Sequence, residues 1–241
     1  GEWRNLTPWL EHVDYRLTMS DYQHIELEGA EFGTRFSNDA WQQRLQLTHT
    51  EIGNWHGVLG LQSSDEEFGA VGDESFIPVT DIASRGLFLV EDYHGTNYTP
   101  EFGARVNIDD YNPVNGITPD RDFSTFSASA SLLLDMSSSS SLGLTWSHSE
   151  RAPSVEELYS NFGLIDAEAC VIHFATGACE TGDVNLGEEQ AHNIDLTLYL
   201  ERGNFNASIT AFYNAFDDYI AQITTGADVN GLPVRAYRQL D

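Results

Sequence analysis

The chain has 241 residues, 38 of them acidic and 11 basic, and a formal net charge of −27. All the basic residues are Arg, and so acidic a chain excludes nucleic-acid binding by phosphate neutralisation, while it suits either cation concentration or plain solubility in salt. An apolar content of 41% excludes a disordered chain, and no run approaches the ~20 apolar residues of a membrane helix.

The first element in chain order is long. From Val13 to Leu27 the odd positions Val13, Tyr15, Leu17, Met19, Ile25 and Leu27 are apolar, with Asp21 and Gln23 as exceptions. The even positions read Asp14, Arg16, Thr18, Ser20, Tyr22, His24 and Glu26. A period of two held this far predicts one strand with an apolar and a polar face. Globular strands average about 5–6 residues, whereas about 9–11 tilted residues cross a bilayer. His24, Glu26 and Glu28 share the polar face at spacings of about 6.6–6.8 Å, which makes them candidates to line a lumen.

The alternation returns down the chain. Phe102, Ala104, Val106 and Ile108 oppose Gly103, Arg105, Asn107 and Asp109; Phe126, Ala128, Ala130 and Leu132 oppose Ser127, Ser129 and Ser131. Leu142, Leu144 and Trp146 follow, then Ile194 to Leu200, then Phe205 to Tyr213 with Phe212 out of step. Between them the connections alternate. Short links fall at Ile52–His56, Tyr93–Asn97, Asp135–Ser140 and Glu201–Asn204, and long ones at Gly29–Trp41, Asp65–Ile82, Asp110–Asp122, Ser149–Gln190 and Thr224–Leu232.

A soluble antiparallel sheet with one wet face explains the alternation, but not tight turns at one rim and long links at the other. That asymmetry belongs to outer-membrane barrels. The predicted fold is therefore all-β: an antiparallel transmembrane β-barrel of about ten strands, with aromatics such as Trp55, Tyr93, Tyr98, Trp146 and Tyr213 near strand ends, where girdles belong. Gly1 follows no Met or secretion signal and Leu240-Asp241 closes a strand-like run, so an internal piece of a longer protein is expected.

The chemistry collects in the links. Asp65–Ile82 carries Asp65, Glu66, Glu67, Asp73 and Glu74, a hydrated acidic loop or a surface bridged by divalent ions to lipid phosphates. Ser149–Gln190 holds Cys170, His173, Cys179, Glu180 and Asp183, offering thiol, imidazole and carboxylate, all acceptable to Zn²⁺. Cys170 and Cys179 fit a disulfide stiffening the loop as well as they fit thiolate ligands. Nucleophile and phosphate-loop motifs are absent, so no enzyme is expected.

The same long link carries a resemblance. Arg151-Ala152-Pro153-Ser154, Glu157-Leu158-Tyr159, His173-Phe174-Ala175-Thr176, Glu180, Gly182-Asp183, Asn185-Leu186 and Glu189 resemble the stretch before the late barrel strands of TonB-dependent outer-membrane receptors. Tyr213-Asn214, Asp218-Tyr219-Ile220 and Tyr237, Gln239-Leu240-Asp241 resemble the strands after it. Upstream, Asp21-Tyr22, His24, Glu26, Gly33-Thr34, Phe36, Asn38, Gly69, Val71-Gly72, Glu74, Phe76, Pro78 and Gly103-Ala104-Arg105 resemble the family's zinc-uptake branch.

The resemblance covers essentially the whole chain. It implies that residues 1–241 are part of a receptor barrel of about 22 strands, with the plug domain and both barrel ends outside this piece. It implies location in the bacterial outer membrane, surrounded by its lipid, and a TonB complex docking on the missing plug segment. The implied role is import of a scarce metal, zinc, captured by external loops through His173, Glu180, Asp183 and Glu74, with the metal as cargo and no resident cofactor. Uptake of siderophore-bound iron or cobalamin is the alternative, and a soluble β-rich adhesin or binding module the remote one.

Overall fold

The computed structural model describes residues 1–28, 31–72, 75–163, 170–173 and 176–241, with Glu28, Glu31 and Phe32 described by backbone alone. Strand follows strand: β1 (Glu2–Thr7), β2 (Leu10–Glu28), β3 (Glu31–His49), β4 (Trp55–Gly72), β5 (Thr80–Tyr93), β6 (Tyr98–Pro113), β7 (Arg121–Ser137) and β8 (Ser140–Arg151). A short helix, α1 (Val155–Tyr159), and two small strands, β9 (Ile172–His173) and β10 (Ala178–Thr181), come next. The long strands resume as β11 (Glu189–Arg202), β12 (Phe205–Asp217), β13 (Tyr219–Val229) and β14 (Leu232–Leu240).

Ten strands form one antiparallel sheet in the order β1-β2-β3-β4-β5-β6-β7-β8-β11-β12. Register turns the alternation into two faces. Leu45, Leu61, Leu87, Val106 and Phe126 stand side by side across β3 to β7. Leu144, Leu196 and Ala211 continue the apolar face across β8, β11 and β12. These side chains are open: Met19 is 75%, Leu61 53% and Ile209 66% exposed. Apolar burial is worth about 25 cal/mol per Å², so an uncovered face of this extent requires an apolar medium. A bilayer supplies it.

The opposite face is polar, with Arg44, Gln62, Asn107, Ser129 and Ser147 at inward positions. At the short-turn rim Trp55 meets Tyr93 edge-on with ring centroids 5.3 Å apart, and Tyr93 stacks on Tyr98 at 5.8 Å. Rings amphipathic enough for a lipid–water boundary sit where a girdle is expected. The turns on this side are tight; Gly203, at φ 63°, takes the left-handed conformation that joins β11 to β12.

Three expected long links are strand instead, among them Thr224–Leu232, which is β13 as far as Val229 and then a two-residue turn, Asn230-Gly231, into β14. The segment assigned to Gly29–Trp41 is mostly β3, and Asp65–Ile82 is β4 as far as Gly72. Serines, acids and amides fill both faces there, as Ser37, Asn38 and Asp39 pair with Gly69, Phe68 and Glu67. Above the lipid both faces meet water, so backbone pairing persists after hydrophobic contrast has vanished. The chain also begins with a strand that alternation does not reveal, because β1 carries Asn5 at φ 54° and a register shift before Thr7.

The far end of the sheet is built differently. β12 runs through a single joint, Asp218 at φ 55°, into β13, which leaves β11 and pairs with β14. β14 then accepts β10 in parallel, and β10 pairs with β9, making a second sheet in the order β13-β14-β10-β9. The buried core gathers at this end of the sheet: Phe76, Ile77, Val155, Leu158, Tyr159, Leu186 and Ile220 cluster together with Phe123 from the start of β7. The described parts of the long Ser149–Gln190 connection thus fold into a cap over the long-link rim.

Candidate functional site: the cap at the outer rim

The cap starts where β8 ends. Pro153 and the N-cap Ser154 set up α1, and a capping box joins Ser154 to Glu157 in both directions. Arg151 grips Glu157 bidentately at 2.8 and 3.2 Å and also donates to Glu189 at 3.1 Å. Glu189 in turn accepts from the backbone N–H of Ile220 at 2.9 Å. One guanidinium thus ties the end of β8, α1, the start of β11 and β13. Leu158 and Tyr159 are fully buried beneath it.

Asn161 fastens the next turn. At φ 48° it takes the left-handed position that often closes a helix, and its backbone N–H donates to the Phe76 carbonyl at 2.7 Å. Its amide donates to the carbonyls of Val171 at 3.0 Å and Glu180 at 2.8 Å, and its Oδ1 accepts from the Val171 N–H at 2.9 Å. Gly182 completes the seat. A Cβ there would lie 2.5–2.6 Å from backbone atoms of Leu158 and Tyr159.

The candidate ligands now have places. Cys170 and Cys179 form a disulfide with Cα atoms 6.0 Å apart, so neither offers a thiolate. His173 and Glu180 come together: Nδ1 of His173 lies 3.0 Å from Oε2 of Glu180, and the imidazole stacks on Phe76 with ring centroids 4.7 Å apart. Glu180 is 3% exposed. Asp183 is turned elsewhere, accepting from Arg238 at 2.7 Å and from the Asn185 backbone at 2.9 Å. Glu74 lies outside the described residues. Among the described residues no three His, Cys, Asp or Glu side chains are arranged to hold a metal ion.

Burial acts to raise the carboxyl of Glu180, yet hydrogen bonds involving Thr176, His173 and Gln222 hold it below the ordinary value of 4.5. The phenol of Tyr237 is pushed up to about 12, first by burial and then by the Glu180 charge. A depressed folded-state value stabilises the cap fully above the unfolded carboxyl range, and that contribution is lost as pH falls through the folded value. Amide protection around residues 170–173 and 176–182, taken relative to the intrinsic exchange rate at each pH, should therefore be constant from pH 7 down to about 5 and fall below about 4.5. Glu180→Gln should remove most of that acid limb; an unchanged limb in the variant would assign it to another group.

The lumen-facing candidates sit on β2. His24 Nε2 is 3.7 Å from Glu26 Oε1, and the imidazole stacks on Phe36 at 4.8 Å. Glu28 ends the same strand, with its side chain outside the described set. The inner wall also holds a pair that alternation does not mark as special. Arg44 and Arg105 flank the Phe88 ring at 4.6 and 5.7 Å. Arg105 bonds Asn107 and Gln62 rather than a carboxylate, and the Nε of Arg44 is buried without a hydrogen-bond partner among the described residues.

A family model described as TonB dependent receptor-like, beta-barrel, matches residues 3–240. The chain belongs to that family. It is part of an outer-membrane β-barrel, and the family is one of receptors. Similar solved structures include the copper transporter OprC, at 15% identity and a TM-score of 0.76 over 100% of this chain and 40% of that one. The Serratia marcescens hemophore receptor HasR shows 14% identity and a TM-score of 0.71 over 96% of this chain and 41% of that one. The FrpB iron transporter from Neisseria meningitidis, F5-1 variant, shows 12% identity and 0.72 over 98% and 38%. The likeness at these identities is one of fold, and the chain spans about 40% of the first structure's length.

Proposed function

We propose that this chain is the barrel portion of a TonB-energised import receptor that captures a scarce metal, zinc, on its outer side. The supporting observation is the His173–Glu180 pair, an imidazole against a buried carboxylate at 3.0 Å in a cap over the outer rim. Zn²⁺ accepts both donor types. Glu74 is a proposed third ligand, and Asp183 enters only by releasing Arg238. The TonB complex would act through a plug segment beyond these residues, and lipid would surround the barrel.

Titration of the whole receptor with Zn²⁺ tests this. His173→Ala should weaken binding by about tenfold or more, the loss of one ligand bond in a partly buried site. Unchanged affinity would remove His173 from the site. A second reading, import of an anionic metal chelate such as a siderophore, is favoured by Arg44 and Arg105, which face the lumen with no carboxylate in ion-pair contact among the described residues. Two adjacent guanidinium groups repel a bare cation and attract an anionic complex. Competition by an iron chelate but not by Zn²⁺ would select that reading.

A further inference from the structure

Where β8 and β11 approach the outer rim to carry the cap link, two histidines stand side by side. His148 and His192 are register partners, flanked in the same row by Ala128 on β7 and Ala215 on β12. The flanking methyl groups leave room around both rings. Trp146 and Ile194, two residues back along the same strands, belong to the apolar face. The histidines therefore sit on the outside of the wall, just beyond the aromatic level. One row further out on that face come Glu150, Gln190 and Asp217, again in register.

The carboxylates occupy one nitrogen of each ring. Nε2 of His148 lies 3.2 Å from Oε1 of Glu150, and Nε2 of His192 lies 3.7 Å from Oδ2 of Asp217. Glu150 is itself fixed, because its other oxygen accepts from the Phe126 N–H at 2.7 Å. An ionised carboxylate can only accept, so each pair holds the ring proton on Nε2 and leaves Nδ1 as a lone pair. The two Nδ1 atoms then face each other at 3.4 Å. Lone pairs at that distance repel unless a cation lies between them. Two nitrogens bound to a tetrahedral ion at about 2.0–2.1 Å stand about 3.3–3.4 Å apart. A carboxylate behind each ligating imidazole is the usual support for such an ion.

We propose that His148 and His192 bind one divalent transition-metal ion through their Nδ1 atoms, on the outside of the wall at the foot of the cap. Glu150 and Asp217 orient the rings and balance the two charges of the ion, and water completes its coordination. The His148 side chain is 14% exposed and that of His192 43%, so the ion enters from the β12 side. Once bound, it ties β8 to β11 at the point where the cap link leaves the wall and returns to it. The site lies on the opposite face from the lumen and shares no donor with His173 and Glu180, so its fate and that of the import reading are separate.

The test is titration of the whole receptor in detergent, carried out on His173→Ala so that the cap imidazole cannot contribute. Zn²⁺ should still fill a site that adding His192→Gln removes. Glu150→Gln keeps both imidazoles and should weaken that site about tenfold or more. Cu²⁺ binds such donors more tightly than Zn²⁺; at saturation of the wild type, its electron paramagnetic resonance spectrum should contain a component with two equivalent nitrogens. His173 is the one histidine of the cap link, so the cap cannot supply that component, and the wild-type spectrum stands even if a variant fails to fold. Absence of a Zn²⁺ site in His173→Ala, equal affinity after His192→Gln or Glu150→Gln, or a Cu²⁺ spectrum without the two-nitrogen component would overturn the proposal.

Discussion

Asn161→Ala is expected to detach the cap from the rim while leaving the ten-stranded wall paired. The side chain makes three hydrogen bonds to two backbone segments, and the residue is 5% exposed. Each bond is worth about 1 kcal/mol net, with more lost where a buried partner is orphaned. Ala also tolerates φ 48° less well than Asn. The sum is on the order of 4 kcal/mol, or amide exchange about a thousandfold faster in the cap if local opening governs it. Hydrogen exchange on the whole receptor should show the acceleration at residues 155–163 and 170–186, with β4 to β8 unaffected. Asn161→Gly relieves the backbone and not the bonds, so it should recover only a minor part. Wild-type protection in Asn161→Ala would mean that the disulfide and the core hold the cap without this side chain.

Gly182→Ala is the second large effect. The added methyl would sit 2.5–2.6 Å from the Leu158 carbonyl group and the Tyr159 nitrogen, and a backbone cannot swing aside as a side chain can. β10 must back away from α1, breaking the bonds from Gly182 N–H to Ser160 at 2.7 Å and from Asp183 N–H to Glu157 at 2.9 Å. Overpacking of this kind costs about 1–3 kcal/mol before those bonds are counted. Gly187→Ala is the control, since its Cβ would meet only the Gln239 side chain at 3.7 Å. If both variants show equal cap exchange and equal unfolding temperatures, close approach at Gly182 does not hold the cap.

The wall was readable because one physical contrast wrote it. Where one face meets lipid and the other water, residues such as Leu17, Leu45 and Leu61 must alternate with polar neighbours, and the period of two gives strand, face and register together. Once both faces meet water, as at Ser37 to Ala40, nothing in the residue pattern distinguishes a paired strand from a loop. Only the cross-strand hydrogen bonds do so. The Cys170–His173–Cys179–Glu180 neighbourhood was visible as chemistry, and its imidazole–carboxylate pair, His173 with Glu180, follows from hairpin pairing of His173 with Ala178. Asn161 and Gly182 were not visible. Each acts through backbone atoms that are distant in sequence, and the one hint is an Asn and a Gly soon after a short capped helix.

The nineteen residues of β2 and of β3 extend about 60 Å at the usual rise, far beyond a membrane band about 25 Å tall. What projects from the cell surface there is a stiff pleated parapet, whose two sides display alternate residues. An antibody raised on a free synthetic peptide spanning residues 33–41 would encounter every second side chain turned away from it. Reagents against this portion of the surface should therefore be selected on the folded receptor.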